Sequence, residues 1–93
     1  MSLLSFIVSK DRDELSVHAD SDGLRILERE IRRARQSLES GKSEHFHLFT
    51  ENWAPDGELT GSMPSENESD GAKAIQHLKF YAWTQEWKKK NEL

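Results

Sequence analysis

The four histidines have the widest chemical scope in this 93-residue chain, since imidazole binds transition metals and exchanges protons near neutral pH. His45 and His47 are two positions apart, so in a β-strand both side chains point to the same face. His77 can lie opposite them on a neighbouring strand, and His18 alternates onto the same side of an earlier strand. The pattern leaves open a zinc site made of histidines alone and an ordinary polar sheet surface. Because the chain has no cysteine and no acidic fourth ligand at a characteristic spacing, we predict no metal and no cofactor.

The acidic residues form no recognisable catalytic arrangement. If Gly23 is placed at the sixth position of a calcium-binding loop, the first ligand is His18 and the twelfth is Arg29, which excludes calcium. Asp56 and Glu58 make a carboxylate pair, but they lie in a polar loop without an apolar pocket to separate their pKa values. The chain also lacks a glycine-rich phosphate loop, a nucleophile elbow and an HExxH helix. We predict that the protein is not an enzyme.

Short runs of β-branched and aromatic residues predict the elements that position these side chains. The turn sequence KDRDE separates the first two runs, and the last run alternates clearly from Leu78 to Trp83. The predicted strands cover residues 4–9, 15–19, 44–50 and 74–83. We also predict a short C-terminal helix that begins after Thr84.

A helix is predicted over residues 23–39, with Asp22 as the N-cap and Gly41 as the stop. Apolar residues recur at steps of three and four along it. This predicted stripe consists of Leu24, Leu27, Ile31, Ala34 and Leu38. The element order β-β-α-β-β predicts an α+β fold, a single domain over 1–93, in which one helix packs on one face of a four-stranded, mainly antiparallel sheet.

Alternation along the predicted strands separates a buried face from an exposed one. The predicted buried face consists of Leu15, Val17, Phe46, Leu48, Leu78 and Phe80. The opposite face carries the four histidines, Phe49, Lys79, Tyr81 and Trp83. Exposed aromatic residues of this kind are typical of a contact surface. The alternative is that the long loop or the tail around Trp87 folds over them.

Charge is distributed unevenly along the chain. The net charge is −4, and residues 51–74 hold six acids against the single Lys73. We interpret residues 51–74 as a long acidic loop between the third and fourth predicted strands, which favours a basic partner and argues against nucleic acid. No apolar run approaches the ~20 residues that span a bilayer, so we predict no membrane association and a cytoplasmic location.

Two segments resemble a known family. The sequence HLFTENWAPDGELT at 47–60, followed after a spacer by HLKFYAWT at 77–84, is similar to the immunity protein 32 family of bacterial polymorphic toxin systems. The matching motif positions are Trp53, Gly57, Leu59, His77, Tyr81 and Trp83. The resemblance implies an α+β antidote that neutralises a toxin made by the same cell, and such antidotes often cover a basic toxin surface.

The residues and the resemblance together predict a protein that binds a cognate toxin through the acidic loop and the aromatic sheet face. The predicted partner-binding residues are Phe49, Trp53, Asp56, Glu58, Leu59, Glu66, Glu68, Asp70, His77, Tyr81 and Trp83. Two alternatives remain at this point: a general protein–protein adaptor or secretion chaperone, and a metal-binding module built on the histidine face.

Overall fold

The computed structural model describes residues 2–61 and 71–93. Within these residues the chain forms five strands and two helices. In chain order they are β1 (Leu4–Val8), β2 (Leu15–Ala19), α1 (Ser21–Glu39), β3 (Glu44–Phe49), β4 (Lys73–Ala74), β5 (His77–Ala82) and α2 (Gln85–Lys90). The fold is α+β with one main helix, as the sequence predicts.

The strands form two antiparallel sheets instead of the predicted single sheet of four strands. One sheet has the order β2-β1-β4 and the other pairs β3 with β5. The predicted antiparallel pairing is confirmed in the first sheet, where β1 pairs with β2 from Leu4↔Ala19 to Val8↔Leu15. In the second sheet β3 pairs with β5 from Glu44↔Ala82 to Phe49↔His77. Antiparallel pairing is therefore observed in both sheets, whereas the predicted single sheet of four strands is not.

Two short backbone segments join these sheets. The Thr60 amide donates to the Leu4 carbonyl of β1 over 2.8 Å, and the neighbouring Leu59 amide donates to Phe49 of β3 over 2.9 Å. The Ile75 amide likewise donates to Phe6 of β1. Parts of the predicted long acidic loop, residues 51–74, therefore hydrogen-bond to strands of both sheets. The segment also contains β4, which pairs with β1.

Helix α1 begins two residues earlier than predicted. Asp20, not Asp22, is its N-cap, and the Asp20 carboxylate accepts a hydrogen bond from the Gly23 amide over 2.8 Å. This bond and a second backbone hydrogen bond lower the pKa of Asp20. At the other end Gly41 has a φ of +80°, a conformation that glycine adopts without strain, and it follows the helix as predicted.

The face that α1 presents to the sheets is rotated relative to the predicted stripe. Gly23 packs against the Leu3 backbone so closely that a Cβ atom would overlap the Leu3 carbonyl. This approach turns Gly23 and Glu30 inward, and it leaves Leu24 and Ile31 exposed at 49% and 39%. The inward-facing Glu30 carboxylate forms an ion pair with Arg33, whose guanidinium lies 3.1 Å away.

The core lies where α1 meets both sheets. Its buried members are Leu4, Phe6, Leu48 and Leu59, and the partly buried residues packed on them are Ala19, Ile26, Leu27, Phe46, Ile75 and Leu78. Three residues of the predicted buried face are instead exposed: Leu15, Val17 and Phe80. The helix contacts β3 and β5 as well as β2, so it does not cover the outer part of β2, which is an edge strand. Among the described residues, no helix has both the length and the apolar character needed to span a membrane.

Replacing Leu27 by alanine should lower the free energy of unfolding by about 2–3 kcal/mol, because Leu27 packs against the core. The matched control is Leu24→Ala on the same helix, where the half-exposed side chain should cost less than about 1 kcal/mol. Urea unfolding followed by circular dichroism measures both values. Equal losses in the two variants would mean that the observed helix face is wrong.

Candidate functional site

One face of the β3–β5 sheet carries a continuous row of aromatic and imidazole rings. Every neighbouring pair along it has ring centroids between 3.8 and 6.3 Å apart. We call this set the ring row, and its members are His45, His47, Phe49, Trp53, His77, Tyr81, Trp83 and Trp87. Strand alternation brings the members in β3 and β5 to one face, as predicted, because side chains two positions apart point the same way.

The centre of the ring row is a pair of histidines. His47 Nδ1 lies 2.7 Å from His77 Nε2, and the two rings are stacked with a centroid separation of 5.0 Å. At this distance one nitrogen donates a proton and the other accepts it, so at most one of the two rings is a cation. His45 contacts His47 edge-on at 5.2 Å and links the pair to Tyr81.

The surroundings of His47 disfavour its protonated form. Burial lowers the pKa of His47 below its ordinary value of 6.5, and the positive charges available on His77, His45 and Lys79 lower it further. Lys79 makes a cation–π contact with Tyr81, because its ammonium lies 5.0 Å from the centroid of that ring. The ring row is therefore held with His47 neutral at neutral pH.

Folding stability should fall as the pH is lowered below 6.5, the ordinary histidine pKa, towards the lowered pKa of His47. Between these two pKa values His47 is protonated in the unfolded chain and neutral in the folded protein, so lowering the pH favours unfolding. At pH values above this range His47 is neutral in both the folded and the unfolded state, so it does not make the folding stability depend on pH. The measurement is urea unfolding at about pH 7.5 and about pH 5.5 for the wild type and for His47→Phe, which removes the titration.

The wild type should lose more stability between these two pH values than His47→Phe does. Nuclear magnetic resonance of the imidazole Cε1 proton gives an independent readout, because His47 should titrate below a free histidine. Identical pH slopes for the two proteins, together with an ordinary His47 titration, would contradict the assignment.

Each end of the ring row is held by its own local structure. Trp53 follows β3 in a turn where the Trp53 and Ala54 amides both donate to the Thr50 carbonyl. Its indole remains 64% exposed. At the other end Thr84 caps α2, as predicted, by accepting a hydrogen bond from the Trp87 amide. Trp87 stacks on Trp83 at 3.8 Å and leaves Trp83 36% exposed, so the C-terminal tail covers the face only in part.

The residues predicted from the acidic loop lie in different environments. Asp56 is exposed, and Glu58 is half-buried beside a cavity of about 320 Å³ that Glu51 also lines. Leu59 is only 3% exposed and belongs to the core, so its side chain is not available for contact with a partner as predicted. Gly57 allows this path, because a Cβ atom there would overlap the Thr50 carbonyl group. The predicted site residues Glu66, Glu68 and Asp70 lie outside the described residues.

The fourth histidine lies apart from the others. His18 is in β2 of the other sheet, paired with Ser5, and its Nε2 atom is buried without a hydrogen-bond partner among residues 2–61 and 71–93. In those same ranges, no group of three or more histidine, cysteine, aspartate or glutamate side chains is arranged to hold a metal ion. No protein-family model, curated protein or solved structure matches this chain.

The predicted partner-binding site omits three members of the ring row. His45 and His47 show the required alternation, and the sequence places them on the same sheet face as the predicted site. Trp87 gives no such signal, because its position depends on where α2 folds back after Thr84. The complete row therefore follows from the structure and only in part from the sequence.

Proposed function

We propose that this protein is a toxin-neutralising immunity protein, not an enzyme, and that it binds its cognate toxin through the ring row. The observation that carries the proposal is the continuous set of eight rings on an open sheet face. Aromatic side chains bury a large area at a small cost in conformational entropy. They are the residues that most often dominate the energy of protein–protein contacts.

The exposed fraction of the rings supports a contact role. Trp53, Tyr81 and Trp83 are 64%, 43% and 36% exposed, so together they offer on the order of 300 Å² of largely apolar surface. This exposed surface is divided between the two ends of the ring row, with Trp53 at one end and Tyr81 and Trp83 towards the other. Its members differ in polarity, since the indole and phenol groups keep hydrogen-bond donors beside the apolar ring surfaces.

The charges near Trp53 support a basic partner. Residues 50–61 contain Glu51, Asp56 and Glu58 and no lysine or arginine. Charges at the rim of an interface chiefly accelerate association and align the partner, while desolvated aromatic residues in its centre slow dissociation. The proposed division is that the carboxylates attract a basic toxin surface and the ring row holds it.

The resemblance to the immunity protein 32 family adds a separate line of support. Four of its motif positions, Trp53, His77, Tyr81 and Trp83, lie in the ring row. Gly57 and Leu59 instead shape the segment that places Trp53 beside β3. The motif therefore combines the proposed contact residues with the residues that position them.

A general adaptor or secretion chaperone is the second candidate, because it would use the same exposed rings without a toxin. Genomic position distinguishes the two, since an immunity gene is expected beside a gene that ends in a toxin domain. The metal-binding alternative would rely on the His47–His77 pair, and zinc titration monitored on the histidine rings tests it. Unchanged imidazole resonances at excess zinc would exclude it.

The direct experiment is co-expression of this protein with the product of the neighbouring gene. Cells should survive when both are made and die when the toxin is made alone, and the purified proteins should form a complex. Failure both to protect cells and to bind would overturn the proposal. Survival without a complex would point to an indirect effect and would also contradict it.

Neutralising the carboxylates near Trp53 should slow association with the toxin while changing dissociation little. The test variant carries Asp56→Asn and Glu58→Gln, and stopped-flow binding at several salt concentrations measures its rates. Its association rate should be lower and less dependent on salt than that of the wild type. The matched control, Asp11→Asn with Asp13→Asn in the β1–β2 turn, removes the same charge away from the ring row. Equal effects in the two variants would mean that net charge alone steers binding.

A further inference from the structure

The two ends of the ring row differ in charge. The Trp53 end carries Glu51, Asp56 and Glu58, and residues 50–61 hold no basic residue. At the other end the last turn of α2 consists of Lys88, Lys89 and Lys90, set against Glu86 in its first turn and Glu92 beyond it. Lys90 is one helical turn after Trp87, so it lies on the same side of α2 as the indole. An acidic end and a basic end are thus separated by stacked rings.

Two copies of a surface with opposite charges at its ends are complementary when they run in opposite directions, because each acidic end then meets a basic end. A two-fold axis that lies in the sheet face, perpendicular to the ring row, places the Trp53 end of one copy on the Trp87 end of the other. The same operation makes both charge contacts at once and brings ring against ring between them. A parallel arrangement would instead place like charges together at both ends, which is unfavourable.

We infer that a second copy of this chain covers the ring row, in an antiparallel homodimer held by the rings and by the two acidic–basic contacts at their ends. The row follows β5 along all six of its residues, a length of about 20 Å. The dimer is weak, because the exposed ring area is well below the roughly 800 Å² per partner of a standard stable interface. The two copies of Lys79 also approach each other near the axis, which weakens it further.

This inference does not depend on the identity of any toxin, but it has a consequence for the proposed function. Self-association covers the apolar rings while no other partner is bound, and a basic toxin that uses the same surface competes with the second copy. Because the dimer is weak, separating the two copies costs little free energy. A partner that binds more tightly therefore displaces the second copy.

The test uses reversal of charge at each end. The first variant carries Glu51→Lys and Asp56→Lys, the second carries Lys88→Glu and Lys90→Glu, and the third carries all four substitutions. Each of the first two should weaken self-association by at least about tenfold, because it places like charges together. The third variant has the net charge of the wild type and reversed ends, so it should associate like the wild type. Sedimentation equilibrium over a wide range of protein concentration measures all four proteins.

A control variant with Arg32→Glu and Arg35→Glu on α1 makes the same charge change as the second variant, but away from the ring row. It should self-associate like the wild type apart from a small effect of net charge. Circular dichroism and the amide spectrum of each variant verify that α2 and the sheets are intact. A Trp53→Ala variant should also weaken the dimer, with no change in charge.

Three results would overturn the inference. The first is a wild type that remains monomeric at the highest concentration reached. The second is a folded four-substitution variant that associates as weakly as the two-substitution variants. The third is a control variant on α1 that weakens association as much as reversal at the ring row does.

Discussion

Replacing Leu59 by alanine should lower the free energy of unfolding by about 3–4 kcal/mol, one of the largest effects of any single truncation in this chain. Leu59 is only 3% exposed and packs with Leu4, Phe6 and Leu48 in the core. Its amide donates to the Phe49 carbonyl and the next amide, that of Thr60, donates to the Leu4 carbonyl, so the buried side chain lies in a segment that joins the two sheets. The measurement is equilibrium unfolding in urea, with the slope compared between the variant and the wild type.

The control for Leu59→Ala is Leu15→Ala in the edge strand β2, where the side chain is 56% exposed. This variant removes the same atoms and should cost less than about 1 kcal/mol. If Leu59→Ala is as stable as Leu15→Ala, residues 59–60 are a surface connection and not part of the core. The first sequence interpretation, in which Leu59 is available to a partner, would then be restored.

Replacing Trp53 by alanine should weaken binding of the cognate toxin by about 30-fold, which corresponds to about 2 kcal/mol. Trp53 is the most exposed tryptophan or tyrosine of the row, and its indole centroid lies 6.3 Å from the His77 ring centroid. Loss of apolar contact should appear mainly as faster dissociation, because association is governed by charge and diffusion. Surface plasmon resonance with immobilised toxin separates the two rates.

Two further variants define the extent of the contact. Trp83→Ala should behave like Trp53→Ala if the whole ring row is covered by the toxin. Leu24→Ala removes an exposed apolar residue from α1, away from the row, and should leave both rates unchanged. An interface on the α1 face would give the opposite pattern, with a sensitive Leu24 and tolerant tryptophans.

Alternation explains why the composition of the sheet face could be predicted. A period of two assigns His45, His47 and Phe49 to one face of β3 without any knowledge of the other strands. The same rule assigns Tyr81 to that face of β5, and the observed antiparallel register brings the two sets together.

The features that sequence reasoning missed depend on contacts between distant segments. The inward face of α1 is set by the close approach of Gly23 to Leu3, which no helical periodicity reveals. Leu59 follows a proline and a glycine in a polar stretch, so the sequence around it is typical of a loop. In the structure the backbone of residues 59–60 hydrogen-bonds to Leu4 and to Phe49. The sequence pattern therefore predicts which side chains share a strand face. It does not predict backbone contacts between segments that are far apart in the sequence.

The three tryptophans of the chain all belong to the ring row, which gives the protein a built-in optical reporter. Trp53 is exposed at one end, so its emission should shift to shorter wavelength whenever a partner removes water from the indole. Trp83 and Trp87 are stacked at 3.8 Å with an interplanar angle of 8°, a geometry in which the two indoles couple electronically. Intrinsic fluorescence and near-ultraviolet circular dichroism therefore report on both ends of one surface without an added label.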